Sequence, residues 1–454
     1  MTTRLVVIGG DAAGMSAASQ AKRLGGDDLE VVAFERGRHA SYSACGIPYW
    51  VAGDVDDEDD LVARSPEQHR ANGIDLRMCT QVEGIDLDRG EVSARSVEDG
   101  TSERVAFDEL VIATGAVPVR PPLEGVDSDG IFGVQTLDDG ELLLEALRSR
   151  DPRRAVVVGA GYIGVEMAEA MVRRGLEVTM VDQADEPMTT LDTDMGRYVR
   201  EAMEGMGIQV RKATPVRAFE TSAGWVSGVV TDKETVAADM VVLGLGVRPN
   251  TELAKDAGLP LGRYGGLLTD LRMRVSGCEN VWSGGDCVES RDLVSEEFLH
   301  VPLGTHANKQ GRVIGTNIGG GYATFPGIVR TAVSKVCDLE IARTGLREVD
   351  ASRIGFRYVA VTVDSTSRAG YFPGAAPLRV KMLAEHRSGR LLGAQIVGGA
   401  GSAKRIDTCA VALWNQMTVE EMTALDLAYA PPFSPVWDPV LIAARKAADQ
   451  LAAG

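Results

Sequence analysis

The chain has 454 residues, 44% apolar and 25% charged, with a formal net charge of −18. That length exceeds a single core and calls for about two to four domains, while the acidic balance excludes nucleic acid as the expected partner, because binding it needs a basic footprint. Apolar runs such as Met240 to Val247 fall far short of the ~20 residues of a membrane-spanning helix, so the expectation is a cytoplasmic enzyme with no membrane partner.

The first elements read LVVIGGDAAGMSAASQAKRL. Leu5 to Ile8 predicts a short buried strand, Gly9, Gly10 and Gly14 a tight turn, and Ala12 to Leu24 a helix. LEVVAFE then predicts a second strand ending in Glu35. This order makes a dinucleotide site: glycines let backbone approach a pyrophosphate, and the helix N-terminus offers free N–H groups. Glu35 stands where an acid accepts hydrogen bonds from a ribose diol. Asp11 replaces the middle glycine of GxGxxG.

Next comes SYSACGIPYW, with Cys45 alone. None of the six cysteines forms a CxxC or CxxxxC pair, so neither a metal site nor a paired redox disulfide is written locally. Cys79, Cys278, Cys287, Cys337 and Cys409 are expected to be buried small hydrophobes.

Leu110 to Gly115, LVIATG, predicts a strand ending in a small-residue turn, either a crossing between units or an ordinary strand–turn. The second glycine turn is intact: Gly159, Gly161 and Gly164 follow the strand Ala155 to Val158 and precede a helix with apolar spacing at Val165, Ala168, Met171 and Val172. A further strand ends in Asp182, and no arginine follows in Gln183-Ala184-Asp185. An acid there bonds an unphosphorylated ribose and repels a 2′-phosphate, which favours NADH over NADPH. Two such units in one chain suggest a flavin and a nicotinamide. VWSGGD ends in Asp286, an acid suited to a ribityl chain or simply to a strand–turn. From about residue 329 the pattern changes to alternating strands, Phe356 to Val363, Leu378 to Met382 and Leu391 to Val397, followed by helical Val419 to Leu425 and Leu441 to Leu451. This predicts a separate α+β domain.

SYSACGIPY, ATG at Ala113 to Gly115, GAGYIGVE, GVRPNTEL from Gly246, GGD, THANKQGR from Thr305 and AYAPPFSPVWDP from Ala428 together resemble the FAD-dependent pyridine nucleotide–disulfide oxidoreductases. The chain is most similar to their single-cysteine branch, the CoA-disulfide reductases, persulfide reductases, NADH oxidases and NADH peroxidases. The resemblance implies an α/β fold with two Rossmann-like domains and a C-terminal dimerisation domain. It divides the chain into an FAD domain at 1–150 and 268–328, an NADH domain at 151–267 and a dimerisation domain at 329–454. It also implies a homodimer whose active sites are shared between subunits. FAD falls to Gly9, Gly10, Ala13, Gly14, Glu35, Arg36, Ala113, Thr114, Gly115, Gly285, Asp286 and Thr305, and the nicotinamide nucleotide to Gly159, Gly161, Tyr162, Ile163, Gly164, Glu166, Asp182 and Gly246. Gln20, Lys22, Arg23, Ser41 and Asn308 stand where CoA-disulfide reductases hold CoA, and Tyr371 and Tyr429 match the tyrosines that group places at the disulfide.

Within the family, the paired-cysteine reductases are excluded: CxxxxC is absent, and His39, His69, His300, His306 and His386 all lie outside the terminal motif. NADH peroxidases and many oxidases resemble one another in a histidine of the first glycine turn, where Ala12 stands here. The expected reaction is reduction of CoA disulfide, or a CoA persulfide, through a mixed disulfide on Cys45. The alternative reduces oxygen or peroxide through a Cys45 sulfenate. Cys45 is expected to have a depressed pKa, and Tyr429 of the partner subunit to supply a proton to the departing thiolate.

Overall fold

The computed structural model describes residues 2–453. Its first layer is a parallel sheet in the order Val281–Ser283, Glu109–Ile112, Thr3–Ile8, Leu29–Phe34, Ile74–Arg77. Leu5, Val6 and Val7 are fully buried, as strands covered on both faces must be. The helices Ala12–Gly25 and Gly304–Ile318 pack together beside it. A Cβ at Gly311 would lie 2.3 Å from the Ala13 carbonyl oxygen, and one at Gly315 2.4 Å from that of Ala17, so small residues set this close approach.

A second parallel sheet repeats the plan in the order Gln209–Arg211, Glu177–Val181, Arg154–Val158, Met240–Leu243, Ile131–Phe132. Between the two sheets runs an antiparallel ribbon, Ala116–Pro118 against Val247–Pro249. Ile131–Phe132 pairs within the second sheet, whereas Leu259 and Leu267 sit in the core of the first. We therefore propose that the units meet at this ribbon, rather than at 150/151 and 267/268, because strand pairing and core membership change there.

The C-terminal sheet is antiparallel, in the order Ala332–Val336, Leu339–Gly345, Leu391–Gly398, Pro377–Glu385, Tyr358–Thr366. Helix Pro439–Ala453 buries Val440, Ala443, Ala444 and Ala447 in its core. Sequence patterning found three of these strands and missed the hairpin at 332–345.

Candidate active site

Gly9 has φ +116°, and a Cβ there would lie 2.1 Å from the Ala113 carbonyl oxygen. A Cβ on Gly14 would lie 2.0 Å from the Gly9 oxygen. Only glycine allows the strand, the turn and the helix to meet this closely. Glu35 accepts the N–H groups of Gly10 and Gly37, both at 2.7 Å, which fixes its carboxylate at the end of its strand, with Arg36 exposed beside it. Asp11 does not cap the helix. It accepts the Tyr42 N–H at 3.2 Å, and burial, assisted by the charges of Glu35 and Asp286, pushes its carboxyl up to about 6. Asp286 follows Gly285, whose Cβ would lie 3.0 Å from that of Ala13. Burial alone pushes the Asp286 carboxyl up to about 6. The turn at Ala113 to Gly115 is tied to the segment after Gly246 by a 2.6 Å bond from the Thr114 hydroxyl to the Asn250 carbonyl. Thr305 is exposed near the start of its helix.

FAD fits this geometry. Asp11, within the glycine turn, and Asp286, beside it, are half-buried, and among the described residues no protein group hydrogen-bonds the Asp286 carboxylate, although its backbone carbonyl pairs with His300 Nε2 at 2.9 Å. A buried acid without a partner is costly unless a ligand donates to it. The helix N-terminus at Ala12 would hold the phosphates, Glu35 a ribose and Asp286 the ribityl hydroxyls.

Cys45 lies in a short helical turn, Ala44–Gly46, that runs into the helix Ile47–Ala52. The loop before it is pinned. Ser41, at φ +51°, donates its N–H to the Gly10 carbonyl at 3.0 Å, and its hydroxyl shares a 2.9 Å hydrogen bond with Nε2 of buried His69. Nothing in the sequence had marked His69. Cys45 is exposed, yet its surroundings desolvate the sulfur. That desolvation pushes the thiol up, and the carboxylates of Glu166, Asp286 and Asp11 push it further. The protein's own groups thus act against the expected depression of this thiol, because the acids around the sulfur come from both units.

In the second turn Gly159 has φ +99°, and a Cβ on Gly164 would lie 1.9 Å from the Gly159 oxygen. Asp182 accepts the N–H groups of Ala160 at 2.5 Å and Ala184 at 2.7 Å, the same arrangement as Glu35. Gly161 caps the helix Tyr162–Arg173. The Tyr162 hydroxyl is buried without a partner, and Ile163 is half-buried. Glu166, one turn on, accepts the Ser334 hydroxyl at 2.8 Å, and burial with the Glu169 charge pushes it up to about 7. Ser334 lies 168 residues from Glu166, on the unpredicted hairpin, so no local signal exposed it.

The CoA set divides. Gln20 bonds Thr316 at 3.1 Å and Asn308 bonds Ser16 at 2.9 Å, both across the seam between the two packed helices. Arg23 is exposed and donates to the Gln20 side-chain oxygen at 3.1 Å. Lys22 is turned the other way: its ammonium donates to the Gly26 and Leu29 carbonyls, both at 2.8 Å. Its ammonium is thus engaged at the helix C-terminus, on backbone carbonyls. Tyr371 lies against Tyr429 and, after desolvation, lifts its phenol. Both are exposed, among further exposed apolar side chains at Phe433, Val436 and Trp437. Among the five other cysteines, Cys287 and Cys409 are buried as expected, but Cys79, Cys278 and Cys337 are half-buried.

Paired Rossmann units, a lone thiol between them and a separate C-terminal sheet define a flavin-type oxidoreductase class. The chain belongs to the pyridine nucleotide-disulphide oxidoreductase family, which it matches over residues 3–311, with that family's dimerisation domain at 331–439. It is 37% identical over 451 residues to an NADH oxidase of Methanocaldococcus jannaschii, covering 99% of each chain. It is 37% identical over 448 residues to an NAD(P)H coenzyme A polysulfide/persulfide reductase of Pyrococcus horikoshii, covering 98% of each. An NAD-dependent persulfide reductase of A. fulgidus superposes with a TM-score of 0.96 at 39% identity, over 99% of this chain and 84% of that one. No described helix is long and apolar enough to cross a membrane.

Proposed function

We propose that this enzyme uses NADH to reduce CoA disulfide, or a CoA persulfide, at Cys45. The observation that carries this reading is the solitary exposed thiol, reached by carboxylates of both nucleotide-binding units, with no second cysteine bonded to it. A lone thiol cannot hold an electron pair as an internal disulfide, so its partner sulfur must come from the substrate.

Bound FAD supplies a carrier that takes the hydride of NADH and passes its electron pair to sulfur. The chain's own part is thiol chemistry. The Cys45 thiolate attacks RSSR, forming Cys45–S–S–R and expelling RS⁻. The departing thiolate takes its proton from Tyr429 of the partner subunit. Two electrons then cleave the mixed disulfide, which restores the Cys45 thiolate and releases the second RS⁻. The sum is NADH, one proton and RSSR giving NAD⁺ and two RSH; with RSSH the first leaving group is sulfide. Gln20, Arg23 and Asn308 along the helix seam, with Ser41 on the loop before Cys45, receive CoA, and Arg23 supplies cationic charge against an overall field of −18. Asp182 favours NADH, with NADPH disfavoured by its charge. Six unpaired cysteines suit a reducing compartment such as the cytoplasm. The dimerisation-domain match supports a homodimer in which Tyr371 and Tyr429 complete the partner's site.

An NADH oxidase reading is favoured by relatives of that name in M. jannaschii and Enterococcus faecalis; Ala12 in the first turn speaks against it. Anaerobic NADH consumption with CoA disulfide separates the two. Turnover without oxygen supports the reductase, and turnover only with oxygen rejects it.

A further inference from the structure

The second glycine turn does not stand on its own unit alone. Arg343, Gln395 and Lys381 are directly opposed neighbours on three adjacent strands of the C-terminal sheet. Opposed residues share a face, and all three are buried, at 9%, 1% and 3% exposure. Across that face lies a segment of the second unit. Arg343 donates to the Thr190 carbonyl at 3.2 Å. Gln395 accepts the Asp192 N–H at 2.8 Å and donates to Asp192 Oδ2 at 2.7 Å. The Lys381 ammonium lies 3.1 Å from Asp192, 2.7 Å from Asp194 and 2.5 Å from Glu348.

The same segment reaches the glycine turn. Met188 donates its N–H to the Ala160 carbonyl at 2.7 Å, and the Ala160 N–H is the one bound to Asp182. Met188 has φ +56°, a left-handed conformation that a methionine does not favour, so the segment needs outside tethers to keep it. Arg347 adds one at the rim, donating to the Thr189 carbonyl. Apolar side chains would cover such a sheet face at least as stably as a buried charged row. What the polar row gives is a single fixed alignment.

We infer that the Arg343–Gln395–Lys381 row positions the second glycine turn, so that the C-terminal sheet sets the affinity for NADH. These are positioning residues, and the inference rests on reading that turn as the NADH site. Loss of Gln395 would leave the Asp192 N–H unpaired and free the segment to shift under Ala160.

Calorimetric titration of the FAD-loaded enzyme with ADP-ribose tests this without turnover. Gln395→Leu is expected to weaken ADP-ribose binding about five- to tenfold, the loss of roughly one buried hydrogen bond, with the KM for the acceptor unchanged. Arg347→Ala, a change at the partly exposed rim that also removes an ion pair to Asp350, is expected to weaken it about two- to threefold. Asp182→Ala is the control. If it weakens binding while Gln395→Leu and Arg347→Ala bind as wild type, the row is merely structural and the inference is overturned, even if both variants melt earlier. If Asp182→Ala also binds as wild type, the turn is not the NADH site and the inference falls with that reading. Should Gln395→Leu fail to fold, Arg347→Ala decides alone, and unchanged affinity overturns the inference.

Discussion

Cys45, the glycines and the two strand-end acids, Glu35 and Asp182, could be singled out from sequence because nucleotide and thiol chemistry calls for those residue types at those spacings. The ionisation of Cys45 could not, because it depends on the acids that fold around it. Cys45→Ser is expected to leave flavin reduction by NADH intact while acceptor reduction falls by roughly a thousandfold or more; rapid mixing resolves the two halves. Glu166 loses its proton near about 7, and its charge then holds the Cys45 thiol up. Glu166→Gln is therefore expected to speed iodoacetamide alkylation of Cys45 in flavin-free protein above about pH 7, with the two proteins converging at lower pH. Asp286 goes the other way in stability. Its carboxyl, raised from 3.8 to about 6, binds its proton more tightly folded than unfolded. It therefore favours folding at low pH and loses that contribution between about pH 4 and about pH 6. Flavin-free Asp286→Asn is expected to exceed wild type in stability at neutral pH by at most about 3 kcal/mol, with no difference below about pH 4. Urea melts across this range would show a pH-independent gap if the carboxyl were instead solvated.

At the scale of elements, both Rossmann helices were readable from their periodicity and turns. The hairpin 332–345 was not. Its strands carry Ser334 and Arg343 at inner positions, and the groups that satisfy them, Glu166 and Thr190, lie more than a hundred residues away. Locally those residues look like surface. Lys22 poses the opposite question: a basic pair near a helix end looks like an anion site, yet one member bonds the carbonyls at that end. Lys22→Ala is expected to lower stability by about 1 kcal/mol with acceptor KM unchanged, and Arg23→Ala to raise that KM with stability unchanged. Equal effects of both variants on KM would restore Lys22 to the substrate set.

Over the whole molecule, the sequence order predicted two nucleotide units and a third domain, but not where the units join. The junction we propose at the ribbon rests on long-range features that no local pattern carries: the pairing of Ala116–Pro118 with Val247–Pro249, of Ile131–Phe132 within the second sheet, and the place of Leu259 and Leu267 in the first core. The exposed tyrosine pair predicts complementation between subunits. Mixed dimers of Cys45→Ser with Tyr429→Phe chains are expected to recover activity that neither homodimer shows, because one of the two sites then holds both groups. Recovery no better than the parents would confine each site to a single chain.

The ribbon has a consequence for how such a protein can change. Entry to and exit from the nicotinamide lobe run side by side, with Val117 opposite Arg248. The flavin sheet is thus interrupted without being broken, but these leashes are not the lobe's sole attachment, since Asp192 is also bonded to Gln395. A lobe moved to another scaffold would keep its nucleotide affinity only where that scaffold reproduced the same row.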